Sequence, residues 1–165
     1  MTLCTKRSIS KYLSPFRVLS ESSKEKKNMI TPGFEKHIRN IYGETGDTWL
    51  RKLPSLIKSI AQKWNLDNIS PLTNVSYSFI AKARQTKTNR IAFLKISFDF
   101  QEAFREATML FHYSGNGCAQ LIDYDQNLGA ILREYCDPGE SLEVFYPNHD
   151  ETAVNIAISV INNLH

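Results

Sequence analysis

Cysteine is scarce in this 165-residue sequence: Cys4, Cys118 and Cys136 are widely spaced, odd in number and free of any C-x-x-C pair. Neither a disulfide framework nor a zinc site is indicated, and a reducing, cytoplasmic setting fits that usage. No stretch approaches the ~18 consecutive apolar residues of a membrane span, and the basic N-terminus lacks the apolar segment of a secretory signal, so no membrane partner is expected. The four histidines, His37, His112, His149 and His165, share no metal-ligand spacing and form no known catalytic pattern with a cysteine or serine. No metal site is expected from them. A G-x-x-x-x-G-K-[ST] phosphate loop is absent, as is any internal repeat.

What charge there is lies unevenly. Residues 1–28 hold seven Lys/Arg against two Glu, and the remainder holds thirteen against fifteen, which leaves a basic segment on a slightly acidic body. A basic body would point to nucleic acid; this distribution does not, and no specific nucleic-acid partner is expected. Hydrophobic content of 42%, aromatic content of 11% and a mean hydropathy of -0.33 are those of a chain with a true core.

Residues 1–28 show no sustained period and read as a basic mobile tail. From Phe34 to Asn65, Trp49, Leu50, Leu53, Leu56, Ile57, Ile60, Ala61 and Trp64 recur at three- and four-residue steps, which predicts helix. Pro54 is tolerated only in a first turn, so the spacing predicts one helix over 34–52 and another starting near Pro54. YSFIAKA and RIAFLKISF, separated by the polar residues 86–89, predict a β-hairpin. Residues 100–113 return to helical period, with Phe100, Ala103, Phe104, Ala107 and Phe111 on one face. Two strands near 118–125 and 129–136 follow, then a turn at Asp137, Pro138 and Gly139. Asn148 three residues before Glu151 reads as a capping box opening a last helix. That helix is apolar on almost every side and calls for neighbours all round.

Lys95 lies inside the apolar strand I-A-F-L-K-I, where a bare ammonium is costly unless an anion meets it. The next helix offers Glu106 at the edge of its apolar face. Each has an ordinary alternative: a strand lysine commonly lays its stem over apolar neighbours with its head in water, and a helix glutamate is usually surface. The order of elements, with a lysine on the third strand and a glutamate on the following helix, resembles a protein-kinase-like small lobe. There this ion pair holds the phosphates of ATP.

The residues G-E-T-G-D-T-W-L-R-K-L-P-S-L-I-K-S-I-A-Q-K-W-N-L at 43–66 resemble the opening helices of the aminoglycoside and hydroxyurea phosphotransferase family, the group that contains streptomycin 6-kinases. F-L-K-I at 93–96, F-R-E-A at 104–107, A-I-L-R-E-Y-C-D-P-G-E-S-L at 130–142 and D-E-T-A-V-N-I-A at 150–157 continue the likeness in one register. The resemblance implies an α+β fold: a kinase-like small lobe with a five-stranded antiparallel sheet plus helices, truncated before the catalytic lobe. Its parts would be the tail 1–28, N-terminal helices at 29–66, a nucleotide-binding small lobe at 67–136, and a hinge with the first helix of an incomplete large lobe at 137–165.

By the same resemblance, Lys95 binds ATP phosphates and Glu106 orients it. Glu134, Tyr135 and Cys136 form the hinge, the Glu134 carbonyl and Cys136 amide taking the adenine edge. The turn from Thr73 to Ser78 covers the phosphates, with Ser76 and Ser78 offering hydroxyls although the glycines often found there are missing. The implied activity is ATP-dependent phosphorylation of a hydroxyl on a small molecule such as an aminoglycoside antibiotic. No H-G-D-x-x-x-x-N loop is present to supply a catalytic aspartate, so no catalytic residue is expected in this chain, and magnesium is expected only with the missing large lobe. Asp99-Phe100-Gln101 imitates a magnesium motif but lies before the hinge and reads as a helix cap, while Asp123 and Asp125 read as turn residues. The alternative is a non-catalytic remnant or split-gene half, a binding module whose last helix docks on a separately encoded large lobe.

Overall fold

The computed structural model describes residues 29–72, 77–137 and 139–164. The basic segment 1–28, Ser76 and most of the turn before it, Pro138 and His165 lie outside the described residues. The elements run α1 (Pro32–Trp64), β1 (Leu66–Pro71), β2 (Ser78–Gln85), β3 (Arg90–Ser97), α2 (Phe100–Tyr113), β4 (Leu121–Asp125), β5 (Ala130–Glu134), α3 (Leu142–Phe145) and α4 (Asp150–Asn162). The fold is α+β, with five antiparallel strands in the order β1-β2-β3-β5-β4.

The break in the first helical region falls at Gly43, not at Pro54 as the sequence predicts. Gly43 takes φ 56 and ψ -134, a conformation cheap only for glycine, and α1 turns there. Gly46 just beyond it lies where a Cβ would stand 2.9 Å from the Ile38 carbonyl oxygen, so the two arms press together. Arg39 spans the bend, reaching Asp47 at 2.8 Å and Glu35 at 3.2 Å. Pro54 sits exposed within the second arm. An interior proline costs ~3 kcal/mol. Leu50, Leu53, Ile57, Ile60 and Trp64 are all buried in one stripe of the same arm, and each such side chain contributes ~1.5–3 kcal/mol, so packing carries the helix through.

Those residues pack on one face of the sheet, against Phe79, Ala81 and Ala83 of β2, Ala92, Leu94 and Ile96 of β3, and Ala130 and Leu132 of β5. The predicted hairpin forms in full register, Ser78 opposite Ser97 through Gln85 opposite Arg90, with Asn89 at positive φ in its turn. Strand alternation sends Ile80, Lys82, Phe93, Lys95, Ile131 and Arg133 to the other face.

Helix α2 lies on that second face through Ala103 and Ala107, which meet Ile131 with partial cover from Leu110, Leu121 and Tyr124. The phenylalanines expected beside the alanines are not buried: Phe100, Phe104 and Phe111 are 46%, 47% and 75% exposed. Small side chains let the helix axis approach β5 closely, and at 3.6 residues per turn the three rings fall roughly 40–80° away from that line of contact.

The predicted strand at 118–125 starts later, at Leu121, and Asp123 and Asp125 are strand residues rather than turn residues. Asp125 is buried and organises the β4–β5 turn, accepting the Leu128 N–H at 3.0 Å and the Lys63 ammonium at 2.7 Å. The Asn148 capping box is not made: Asn148 adopts φ 64, and His149 occupies the cap position without a side-chain bond. The short helix α3 was not foreseen. Within α4 only Val160 is buried, and Val154, Ile158 and Ile161 are exposed, so the neighbours that this apolar helix calls for are not supplied by the described residues.

Candidate functional site

The second sheet face gathers the sequence candidates. Lys95 faces α2, its side chain 14% exposed, and its ammonium lies 2.6 Å from Glu106 Oε2 and 2.9 Å from Glu102 Oε1. Asp99 sets the start of this helix, its carboxylate accepting the Gln101 N–H at 2.8 Å, which is the cap role read from the sequence. Glu102 and Glu106, one turn apart, therefore reach the same ammonium. Burial opposes the charge on Lys95 most strongly, yet hydrogen bonds to Glu106 and Glu102 outweigh it and hold the ammonium's pKa above its ordinary value.

One step along the strands, Lys82, Phe93 and Arg133 form a cross-strand row beside the Lys95 row. Tyr135 continues this face from the end of β5. Its ring lies 5.0 Å from Phe93, with the Lys82 ammonium 4.3 Å above it, and the Arg133 guanidinium stands 5.3 Å from the Phe93 ring. Cation over π-face is attractive, so the row is a pair of rings tilted 53° to each other, each with a positive charge over it. At ~3.3 Å per residue, Tyr135 lies about 13 Å along β5 from Ile131, the partner of Lys95.

The remaining hinge residues are fixed by backbone and packing. The Glu134 amide donates to the Gln120 carbonyl at 2.8 Å, and the Glu134 carboxylate accepts the Gln120 N–H at 3.3 Å. Cys136 is 1% exposed. Gly139, at φ 70, folds the chain back so closely that a Cβ there would stand 2.6 Å from the Cys136 carbonyl oxygen. Ser78 is buried with its hydroxyl 3.1 Å from that of Ser97, tying the start of β2 to the end of β3 beneath the surface. Among the described residues no group of three or more His, Cys, Asp or Glu side chains converges as a metal site requires, and no helix is long and apolar enough to cross a membrane.

The structure thus brings together Lys95, Glu106 and Tyr135 on one face, with Glu134 and Cys136 at its end. Glu102, Lys82, Phe93 and Arg133 were missed by sequence reasoning. The i, i+4 spacing of Glu102 to Glu106 was the available signal for the first, and strand alternation from Lys95 for the other three.

An α+β unit with a half-buried lysine on its third strand, answered by carboxylates from the next helix, is the setting in which the comparisons fall. Residues 63–165, more than half of the chain, match the family described as aminoglycoside/hydroxyurea antibiotic resistance kinase, and the chain belongs to that family. It is 24% identical over 123 residues to the streptomycin 6-kinases of Streptomyces glaucescens and Streptomyces griseus, covering 74% of this chain and 39% of each relative. It is 22% identical over 122 residues to the hydroxyurea phosphotransferase of Kitasatospora aureofaciens, covering 74% of this chain and 36% of the relative. The chain spans about two fifths of the length of the curated relatives it matches. No solved structure matches it.

Proposed function

We propose that this chain is the nucleotide-binding small lobe of an ATP-dependent phosphotransferase that acts on a hydroxyl of a small molecule, of the aminoglycoside or hydroxyurea kinase type. The observation that carries the reading is the Lys95–Glu106 contact at 2.6 Å, on the sheet face that α2 packs against. In this reading Lys95 binds the triphosphate and Glu106 holds its ammonium in place. The backbone of Glu134 and Cys136 takes the edge of the base, and Tyr135 and Phe93 offer it an apolar surface. Ser78, engaged with Ser97, braces β2 against β3 beside Lys95.

Membership of a kinase family supports ATP as the donor, and the residues present fit it: the Lys95 ammonium for phosphate shares a sheet face with the rings of Phe93, two residues away on β3, and Tyr135, about 13 Å along the neighbouring strand, for the base. Phosphoryl transfer would draw on parts of the relatives that this chain does not span, including an H-G-D-x-x-x-x-N loop and the carboxylates that hold magnesium. The chain by itself would bind nucleotide without turning it over, in a cytoplasmic setting. The exposed α4 residues Val154, Ile158 and Ile161 favour a second reading, a non-catalytic binding module. Calorimetric titration with ATP separates the two. Saturable binding by the wild-type chain that is lost in Lys95→Ala supports the nucleotide site, and equal behaviour of the two proteins refutes it.

A further inference from the structure

We infer that Glu102 is a competing anion at the Lys95 ammonium, a residue that sets nucleotide affinity by holding the place a phosphate oxygen takes. The inference rests on the reading of Lys95 as the phosphate ligand and adds what governs access to it.

A lysine ammonium has three donors. At Lys95 two of them are met by Glu102 and Glu106, and the side chain is 14% exposed, so little of the ammonium remains for a third ligand. One positive charge between two carboxylates leaves the cluster at -1, and an arriving triphosphate meets net repulsion. Lys82 and Arg133 in the neighbouring row are engaged over the Tyr135 and Phe93 rings, and on the α2 side the surroundings stay acidic. Arg105, a cation on the same helix, points to Asp99 at 4.0 Å instead. Tyr42, whose phenol is kept protonated first by burial and then by the charges of Glu102 and Asp99, lies in the same negative field.

The two carboxylates are unequal. Glu106 is the closer, at 2.6 Å, and the less exposed, at 29%; Glu102 is at 2.9 Å and 41% exposed. Glu102 also sits in the first turn of α2, where its side chain borders solvent, whereas Glu106 lies a turn deeper over the sheet. Releasing Glu102 to water therefore costs less than releasing Glu106, because a solvated carboxylate recovers its hydration and an exposed ion pair is weak. Phosphate takes the Glu102 position and Glu106 stays as the anchor.

The test is calorimetric titration of the 165-residue chain with ATP and, separately, with inorganic tripolyphosphate at low ionic strength. Glu102→Gln binds both about tenfold more tightly than wild type, through removal of a like charge a few ångströms from the phosphate site. Glu106→Gln binds about tenfold more weakly, through loss of the anchor. Glu151→Gln, which removes the same charge from α4, leaves affinity unchanged. If wild type binds ATP and Lys95→Ala does not, yet Glu102→Gln binds no more tightly than wild type, the competition is overturned while the nucleotide site stands. An equal gain in Glu151→Gln also overturns it, since overall charge then accounts for the effect. If neither wild type nor Glu102→Gln binds either probe, the nucleotide reading itself fails and takes this inference with it.

Discussion

Replacing Lys95 by methionine keeps most of the stem's apolar volume and removes the one cation between Glu102 and Glu106. Both carboxylates contact the same nitrogen, so their oxygens are no more than about 5.5 Å apart, the two bond lengths end to end. At an effective dielectric between 20 and 80, their repulsion is on the order of 1–3 kcal/mol, with the exposure of both groups favouring the lower end. The lost charge-assisted bond to Glu106 adds roughly 1 kcal/mol, and the smaller cost of desolvating a thioether than an ammonium in this largely buried site returns a similar amount. The net prediction is that Lys95→Met is about 1–2 kcal/mol less stable than wild type near pH 7, measured by urea unfolding. Glu102→Gln in the Lys95→Met background recovers part of the loss. A variant as stable as wild type at pH 7 would refute the ion-pair account.

Asp125 offers a pH signature. Its burial opposes ionisation, but Lys63 and the Leu128 amide outweigh that and hold its pKa below the ordinary carboxylate value. Its contribution is thus complete above about pH 4 and is lost as pH falls through the lower folded value. Asp125→Asn should cost about 1–3 kcal/mol at neutral pH, with the difference from wild type closing under acid; a pH-independent difference would contradict this. Pro54→Ala should stabilise by roughly 1–2 kcal/mol in thermal melts, restoring an interior helix donor against a smaller loss of unfolded-state restriction, and a lower melting temperature would count against it. Gly129→Ala, at φ 57 with a new Cβ 2.5 Å from the Phe100 ring, should destabilise by about 1–3 kcal/mol. Phe100→Ala in that background should relieve part of the loss, and a purely additive pair would place the strain in the backbone alone.

The strands and α2 were legible because their signals are local. Alternation over 78–85 and 90–97 fixes the hairpin, and the period over 100–113 fixes the helix. The Lys95–Glu106 contact was legible for the same reason, since one residue's face on β3 and another's on α2 follow from pattern alone. The break at Gly43 was not, because Pro54 is the louder signal and the burial of Leu50, Leu53 and Ile57 that overrides it is a tertiary effect. The exposure of Phe100, Phe104 and Phe111 was hidden in a similar way. Hydrophobicity ranks phenylalanine above alanine, but close approach of α2 to β5 at Ala103 and Ala107 decides which side chains meet the sheet. Glu102 could have been read from its spacing to Glu106. That it shares the ammonium rather than facing water required the position of the helix over β3.

The central claim is that the sheet face carrying Lys95 and ending at Cys136 is where ATP binds, and backbone amide hydrogen exchange with and without ATP measures it most directly. The account predicts slowed exchange at Cys136 and along β3 around Lys95 in the wild-type chain, absent in Lys95→Ala, with α1 unchanged. Exchange that is unaltered by ATP throughout, or slowed only on the α1 side of the sheet, would contradict it.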